Sequence, residues 1–525
     1  MANSQQTSNG NEKPNVILFM VDQLAAKWLE AASSGTSHTP NICRLQQRGV
    51  TFTNAFTSNP VCSPSRSTIA TGLTSRGHGL IENGYYLDPS IPTFMQVLQE
   101  NGWRTGGIGK MHFQPLSQSR YPDYRAYGFD VTHVTEDCRS GEWLDWVEQE
   151  HPEYYEKALA TVWACDDMPV FAEYGPNRVN LREKIKQIRE GFEWSTPEFP
   201  NNTRDAYTLP FPEEISQSSW ITKNTLSFIR EMSRSNQPFF AQVSYVGPHY
   251  PYAPPAEYMN YVDVDKIPAP VPAEWAMDPH APHYFKEKEP VTGDWRHVRH
   301  CYFADISYLD YQIGLVMDAL EETGQLANTY IIFVSDHGDL LYDHGLLNKE
   351  EKHYDACIRV PLIIAGPQVQ AGKVCDELVQ LEDICPTILE MASLPAPSLP
   401  SGYNNISESD IQSLPGSSLL GWCRGEKPSA WRDAAYIESY NSIWNISPNS
   451  WARTIRTKEF RYTFYPNGNG EQMFHLGKDV NEQNNIVSNP EFADVRQKLR
   501  DRLMDLIVLQ DYPKTPRNLV KLGVY

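Results

Sequence analysis

Cys62 sits in a segment whose residue types suit chemistry on an anion. The segment reads Pro60-Val61-Cys62-Ser63-Pro64-Ser65-Arg66 and continues Ser67-Thr68-Ile69-Ala70-Thr71-Gly72. Pro64 fits the first turn of a helix and Gly72 fits its end. Cys62 then stands at a helix N-terminus, where free N–H groups and the dipole favour negative charge. Arg66 follows about one turn along, on the same side. From the residues alone, Cys62 reads as a buried structural cysteine, as a nucleophile, or as part of an anion site.

A second set of polar residues is defined by position. Asp22-Gln23 follow the apolar run Val16 to Val21, and Lys110-Met111-His112 follow Thr105 to Gly109. Gly247-Pro248-His249 follow Phe239 to Val246, and Asp336-His337 follow Tyr330 to Ser335. A strand ending in Asp is ordinarily a turn or a helix cap. Four such endings point instead to one site, because ligands of open α/β sheets gather at the carboxyl ends of strands. Asp22, Asp336 and His337, with the Gln23 amide oxygen, make an oxygen-rich set suited to one hard divalent cation such as Ca2+, Mn2+ or Mg2+. Asp339, Asp343 and His344 are read as solvated loop residues, and Lys349 and His249, taken alone, as a surface lysine and a loop histidine.

The elements that must hold these residues are strands and helices in alternation. The apolar runs at 16–21, 239–246, 330–335 and 361–365 are continuous, so each is expected to be covered on both faces. Ile306, Leu309, Ile313, Val316 and Leu320 repeat at helical spacing within Ala304 to Glu322. The expected fold is α/β, a large, mostly parallel central sheet with helices on both faces. Pro and aromatic residues crowd 250–300, which suggests a surface excursion beside a pocket. Trp143, Trp146, Tyr250, Tyr252 and Trp275 are candidates for an aromatic wall around an aryl or quaternary ammonium group, with core packing the simpler role for most of them. The Pro/Ser/Gly-rich stretch Leu394 to Gly416 suggests a junction. It would divide a catalytic domain, 15–395, from a smaller C-terminal α+β domain, 396–525, with strands at Ala435–Glu438 and Phe460–Tyr465 and a helix from Glu491 to Leu509.

Composition narrows the function. With 525 residues, 40% hydrophobic, the chain can bury a large core. The formal net charge of -20 argues against nucleic acid as a partner. It leaves room for a small anion in a locally positive pocket. No apolar run approaches the roughly 18 residues of a membrane span, and Met1 to Pro14 carry no signal-peptide pattern. The nine cysteines include no CxxC pair, and their odd number fits a reducing compartment. The sequons at Asn201, Asn405 and Asn445 carry little weight without export. A cytoplasmic enzyme is expected, with homo-oligomerisation left open.

The sequence resembles the sulfatase family of the alkaline phosphatase superfamily. Cys62-Ser63-Pro64-Ser65-Arg66 matches the family signature C-x-P-S-R. PNVILFMVDQ, Gly109 to His112, Gly247-Pro248-His249, SDHGD from Ser335 and His344 to Lys349 follow in the family's order. ARTIRTKEFRYTFYP and MFHLGKDVNEQNNIV resemble its small second domain. The resemblance implies that Cys62 becomes a formylglycine, made by a formylglycine-generating enzyme and held on the metal as its hydrate. One hydroxyl would attack sulfur to give a covalent sulfo-enzyme, and the other would expel sulfate. Arg66 would steady the diol, Lys110 and Lys349 would bind sulfate oxygens, His112 would act as base and His249 as acid towards the departing alcohol. The substrate would be a small-molecule sulfate ester. One departure stands out: many sulfatases carry a second Asp where this chain has Gln23. The Asp-Gln form resembles choline-sulfatases and phosphonate monoester hydrolases, so a phosphonate monoester or phosphodiester hydrolase is the alternative. The Lys110/His112 pair favours the sulfatase side. A non-catalytic binding protein with unmodified Cys62 is the third reading.

Overall fold

The computed structural model describes residues 13–115, 123–163, 169–174, 179–235, 237–277, 281–287, 293–395, 414–440, 451–468 and 470–509. The first sheet has eight strands. They are β1 (Asn15–Val21), β2 (Gly49–Phe56), β3 (Arg104–Gly109), β4 (Val131–Val134), β5 (Phe239–Ser244), β6 (Thr329–Ser335), β7 (Arg359–Ala365) and β8 (Lys373–Gln380). Their order is β4-β3-β5-β1-β6-β7-β2-β8. Only β7 runs against its neighbours; the other pairings are parallel. The expected mostly parallel α/β sheet is therefore present.

β1 explains its own continuous apolarity. Ile17, Phe19 and Val21 face one core with Trp28, Ile221, Phe228 and Ile313. Val16, Leu18 and Met20 face the other with Ile69, Phe94, Leu98 and Ile388. Successive residues of a strand point to opposite faces, so a strand covered on both sides is apolar throughout. The helix expected from Ala304 begins earlier, spanning Trp295–Glu322, because the Asp294 side chain caps it by accepting from the N–H groups of Arg296 and His297. The Pro-rich stretch before it forms short 3-10 turns, including Ala256–Tyr261 and Val264–Lys266. Tyr252, Tyr258 and Met259 in it are buried, so it is less of a surface excursion than its composition suggests.

The second sheet is antiparallel, with strands β9 (Ala435–Ser439), β10 (Ala452–Arg456), β11 (Phe460–Phe464) and β12 (Glu471–His475) in the order β12-β11-β10-β9. The helix Ala493–Leu509 packs on it through Leu499 and Leu503. This is the smaller C-terminal α+β unit. Most of the expected junction, 396–413, lies outside the described residues. Leu419, Leu420 and Cys423, which follow it, still pack in the core of the first sheet. No helix among the described residues is long and apolar enough to cross a membrane.

Candidate active site

Strand register assembles the site. Val21 pairs with Ser335, so Asp22 and Asp336 leave adjacent strands side by side. Gly109 pairs with Ser244, and the Lys110 N–H donates to the Ser244 carbonyl at 3.0 Å. The Asp22 N–H donates to the Gly247 carbonyl at 3.1 Å, which fixes the loop carrying His249. The helix Cys62–Thr71 points its N-terminus at these strand ends. No side chain at Val61 caps it; Asn83 Oδ1 accepts from the Ser63 N–H at 3.0 Å instead. Gly72 closes the helix at φ 71°, the left-handed conformation anticipated for it.

Arg66 ties the strand ends together. Its Nε donates to Asp336 Oδ2 at 2.8 Å and its Nη2 to Asp22 Oδ2 at 3.1 Å. Its Nη1 donates to the Lys110 carbonyl at 2.7 Å and to Ser244 Oγ at 2.8 Å. Lys110 Nζ lies 2.5 Å from Asp22 Oδ2 and 2.8 Å from Asp137 Oδ2. Its position between two carboxylates outweighs burial and holds its pKa well above the usual lysine value. Around the sulfur, Lys349 Nζ is 2.9 Å and His337 Nε2 is 3.2 Å from Cys62 Sγ. Burial raises the Cys62 pKa, but Lys110, Lys349 and His337 outweigh it and leave the thiol well below its ordinary value.

The donor set fits a hard divalent cation. Ligand atoms of Asp22, Cys62, Asp336 and His337 all lie within 4.8 Å of one another, and all four residues are buried. His337 Nδ1 contacts the Gly338 carbonyl at 3.1 Å, an arrangement that turns Nε2 towards Asp22 and Asp336. Gln23 Nε2 donates to Asp339 Oδ2, which aims the amide oxygen inward, 2.9 Å from Lys349 Nζ. That ammonium, also 3.1 Å from His337 Nε2, shows the space to favour positive charge.

Every anticipated site residue is in this cluster. His249 Nε2 is 3.3 Å from Lys349 Nζ and 3.9 Å from Asp137 Oδ2, while its Nδ1 meets the Tyr250 carbonyl. His112, in a left-handed conformation at φ 56°, groups with Asp137 and Cys62, their polar side-chain atoms within 4.8 Å of one another. His249 is a loop histidine as expected, but a buried one, and Lys349 is buried rather than at the surface, because the loops that carry them fold over the strand ends. Asp339, Asp343 and His344 are likewise buried, not solvated. Asp339 accepts from Gln23, Tyr252 and the N–H groups of Leu341 and Asn348. Asp343 pairs with Lys27 and Arg299. Trp143 and Trp275 are core residues, and Tyr252 is bound to Asp339. Tyr250 does flank the site with Trp163, whose ring centroid is 5.8 Å from that of His249.

Sequence reading missed Asp137 and Trp163. Asp137 lies three residues beyond the end of β4, where Asp22 directly follows β1, so the strand-end rule reaches it more loosely. Val131-Thr132-His133-Val134 is too short and too polar to stand out as a strand.

Fold and site together define a hydrolase of the alkaline phosphatase superfamily. The sulfatase family model matches residues 14–394, and a model of the N-sulphoglucosamine sulphohydrolase C-terminal region matches residues 342–508. The chain is 29% identical to an arylsulfatase of Clostridium perfringens over 94% of each chain. It is 27% identical to the choline-sulfatase of Rhizobium meliloti, over 91% of this chain and 83% of that one. The crystal structure of a phosphonate monoester hydrolase of Agrobacterium radiobacter shares the fold, with a TM-score of 0.74, 23% identity and coverage of 95% and 96%. The chain belongs to the sulfatase family and is a sulfuric ester hydrolase.

Proposed function

We propose that the protein hydrolyses aryl or alkyl sulfate monoesters with a formylglycine derived from Cys62 and one divalent cation. The observation that carries this reading is the single buried space shared by Cys62, Lys110, His112, His249 and Lys349 beside two carboxylates and an imidazole. Asp22, Gln23, Asp336, His337 and the oxygen at position 62 would hold the cation, whose charge would offset that of the sulfate. A hydrated aldehyde at 62 would supply two hydroxyls on one carbon, one to accept the sulfuryl group and one to release it. Lys110 and Lys349 bind sulfate oxygens, and Arg66 keeps the carboxylates in place. His112 takes a proton at the nucleophile side. Contact of Nδ1 with the Tyr250 carbonyl leaves His249 Nε2 to deliver a proton to the departing oxygen. A formylglycine-generating enzyme would act before folding buries Cys62. Unpaired thiols at Cys43, Cys301, Cys357 and Cys385 favour a cytoplasmic setting.

The test compares 4-nitrophenyl sulfate with the 4-nitrophenyl ester of phenylphosphonate, so that only the transferred group differs. Sulfate should give the higher kcat/KM, and the reverse would assign the protein to phosphonate monoester hydrolysis. Mass spectrometry of the Cys62 peptide should show the thiol replaced by a carbonyl oxygen in active protein. Full activity with intact thiol would overturn the nucleophile assignment.

A further inference from the structure

Next to His249 the chain forms a small cleft of about 30 Å³, partly open to solvent. Its lining combines two opposite charges, Asp305 and Arg139, with Gln217, Ser218 and Tyr308. Asp305 comes from the long helix 295–322 and is only 7% exposed. Its carboxylate lies on the cleft wall, against the Gly247 backbone. Burial raises its pKa to about 7, against the opposing pull of Arg139. The approach is made room for by Gly247, where an added Cβ would lie 2.4 Å from Asp305 Oδ2. Arg139 enters from the loop that also supplies Asp137. Its Nη1 donates to Gln217 Oε1 at 3.2 Å, and its Nε is buried without an acceptor.

We infer that this cleft is the subsite for the alcohol half of the substrate, and that Asp305 and Arg139 select an alcohol carrying further hydroxyl groups. This rests on the reading of His249 as the residue facing the departing oxygen. A hydroxyl donates to a carboxylate and accepts from a guanidinium, so two neighbouring hydroxyls satisfy both charges at once. A planar aryl group would leave both charges unmet. A quaternary ammonium has no hydrogen-bond donor and is recognised by aromatic faces. Besides the His249 imidazole, Tyr308 is the one aromatic ring in the lining, and its hydroxyl is already engaged by Ser216 and Ser219.

The experiment uses the full-length, formylglycine-bearing enzyme and two matched esters, propyl sulfate and 2,3-dihydroxypropyl sulfate, with choline sulfate as a cationic third arm. The wild type should favour the dihydroxypropyl ester at least tenfold in kcat/KM, since a site built to bond a hydroxyl rejects the analogue that lacks it. Asp305→Asn and, independently, Arg139→Gln should bring that ratio close to one. A wild-type ratio near one, an unchanged ratio in both variants, or a preference for choline sulfate that Asp305→Asn abolishes would each overturn the inference. If no sulfate ester is turned over, the reaction assignment fails separately. The cleft is then decided by calorimetric binding of the two propyl esters to the Cys62→Ala protein, where the same tenfold difference and its loss on Asp305→Asn are expected.

Discussion

Two buried ionic networks differ in how completely they are closed. In the first, Arg66 bonds Asp22 and Asp336, and Lys110 bonds Asp22 and Asp137. In the second, Arg461 pairs with Glu482, and Arg456 makes a two-pronged contact with Asp355 at 3.1 and 3.0 Å. Glu482 also accepts from the Asp355 N–H, and the Arg461 guanidinium lies between the rings of Tyr354 and Phe474. The carboxylate oxygens of this second network are all engaged, and its one buried atom without a partner is the guanidinium Nη2 of Arg461. In the first, Asp137 Oδ1, Glu136 Oε2 and His112 Nδ1 are buried without partners, around a low-pKa thiol. Burial of charge is common to both and marks neither as a site. What sets the first apart is that its unmet bonding capacity falls on carboxylates and an imidazole around a thiol, where the second leaves only one guanidinium nitrogen unmet.

The largest expected effect separates the two by function. Asp336→Asn keeps the side chain's shape but removes one charge from the candidate metal ligands. Elemental analysis should then find the divalent cation lost, and kcat/KM should fall on the order of 10³-fold while the fold persists. Full metal content in this variant would remove Asp336 from the ligands and blur the distinction between the networks.

The complementary change is Arg461→Met. It leaves Glu482 buried without its cation, for which the usual loss is about 3–5 kcal/mol. Urea unfolding should register that loss, while turnover per folded molecule stays at the wild-type value well below the transition. A drop in turnover without a drop in stability would make the second network part of the site. Asp137→Asn should act more gently. It removes one of the two carboxylates that hold Lys110, with an expected loss of about tenfold in kcat/KM, or about 1.4 kcal/mol. A change in stability alone would make Asp137 structural.

The unequal legibility of these regions in the sequence has a physical basis. Asp22, His249 and Asp336 could be found because each follows a strand buried on both faces that reads as a continuous apolar run. Residues at the carboxyl ends of such strands must meet. The strand before Lys110, Arg104-Thr105-Gly106-Gly107-Ile108-Gly109, carries no such signal. β4 lies at the sheet edge with three of its four residues half-buried, so its run is short and mixed and Asp137 goes unmarked. Asp305 lies inside a helix whose apolar spacing hides a polar residue turned into a cleft. Asp339 reads as a loop acid, yet four donors fix it beneath Gln23, a burial that only the folded loops create. The C-terminal strands were visible, but their ion pairs join residues far apart in the chain, Arg456 with Asp355 among them.

The smallest expected effect concerns His344, which borders the second network through Tyr354. It follows Asp343, the partner of Lys27 and Arg299, and its ring stacks on Tyr354 with centroids 4.1 Å apart. Burial depresses its pKa from 6.5 to about 3, with Lys27 and Arg461 adding to the effect and Asp343 opposing it. The folded state therefore keeps the ring neutral where the unfolded chain would bind a proton. Its contribution to stability is fully present above about pH 6.5 and is lost as the pH falls from there towards 3. One proton over the interval from pH 6.5 to 5 corresponds to about 2 kcal/mol at most. His344→Phe keeps the stack on Tyr354 and removes the titrating group. Urea unfolding at pH 7 and pH 5 should show a smaller loss on acidification in the variant than in the wild type, by about 1–2 kcal/mol. His353, also buried and held well below its ordinary pKa, leaves a residual slope in both proteins. Equal slopes would mean that His344 takes up its proton without unfolding, and that its stack on Tyr354 is looser than the network beside it.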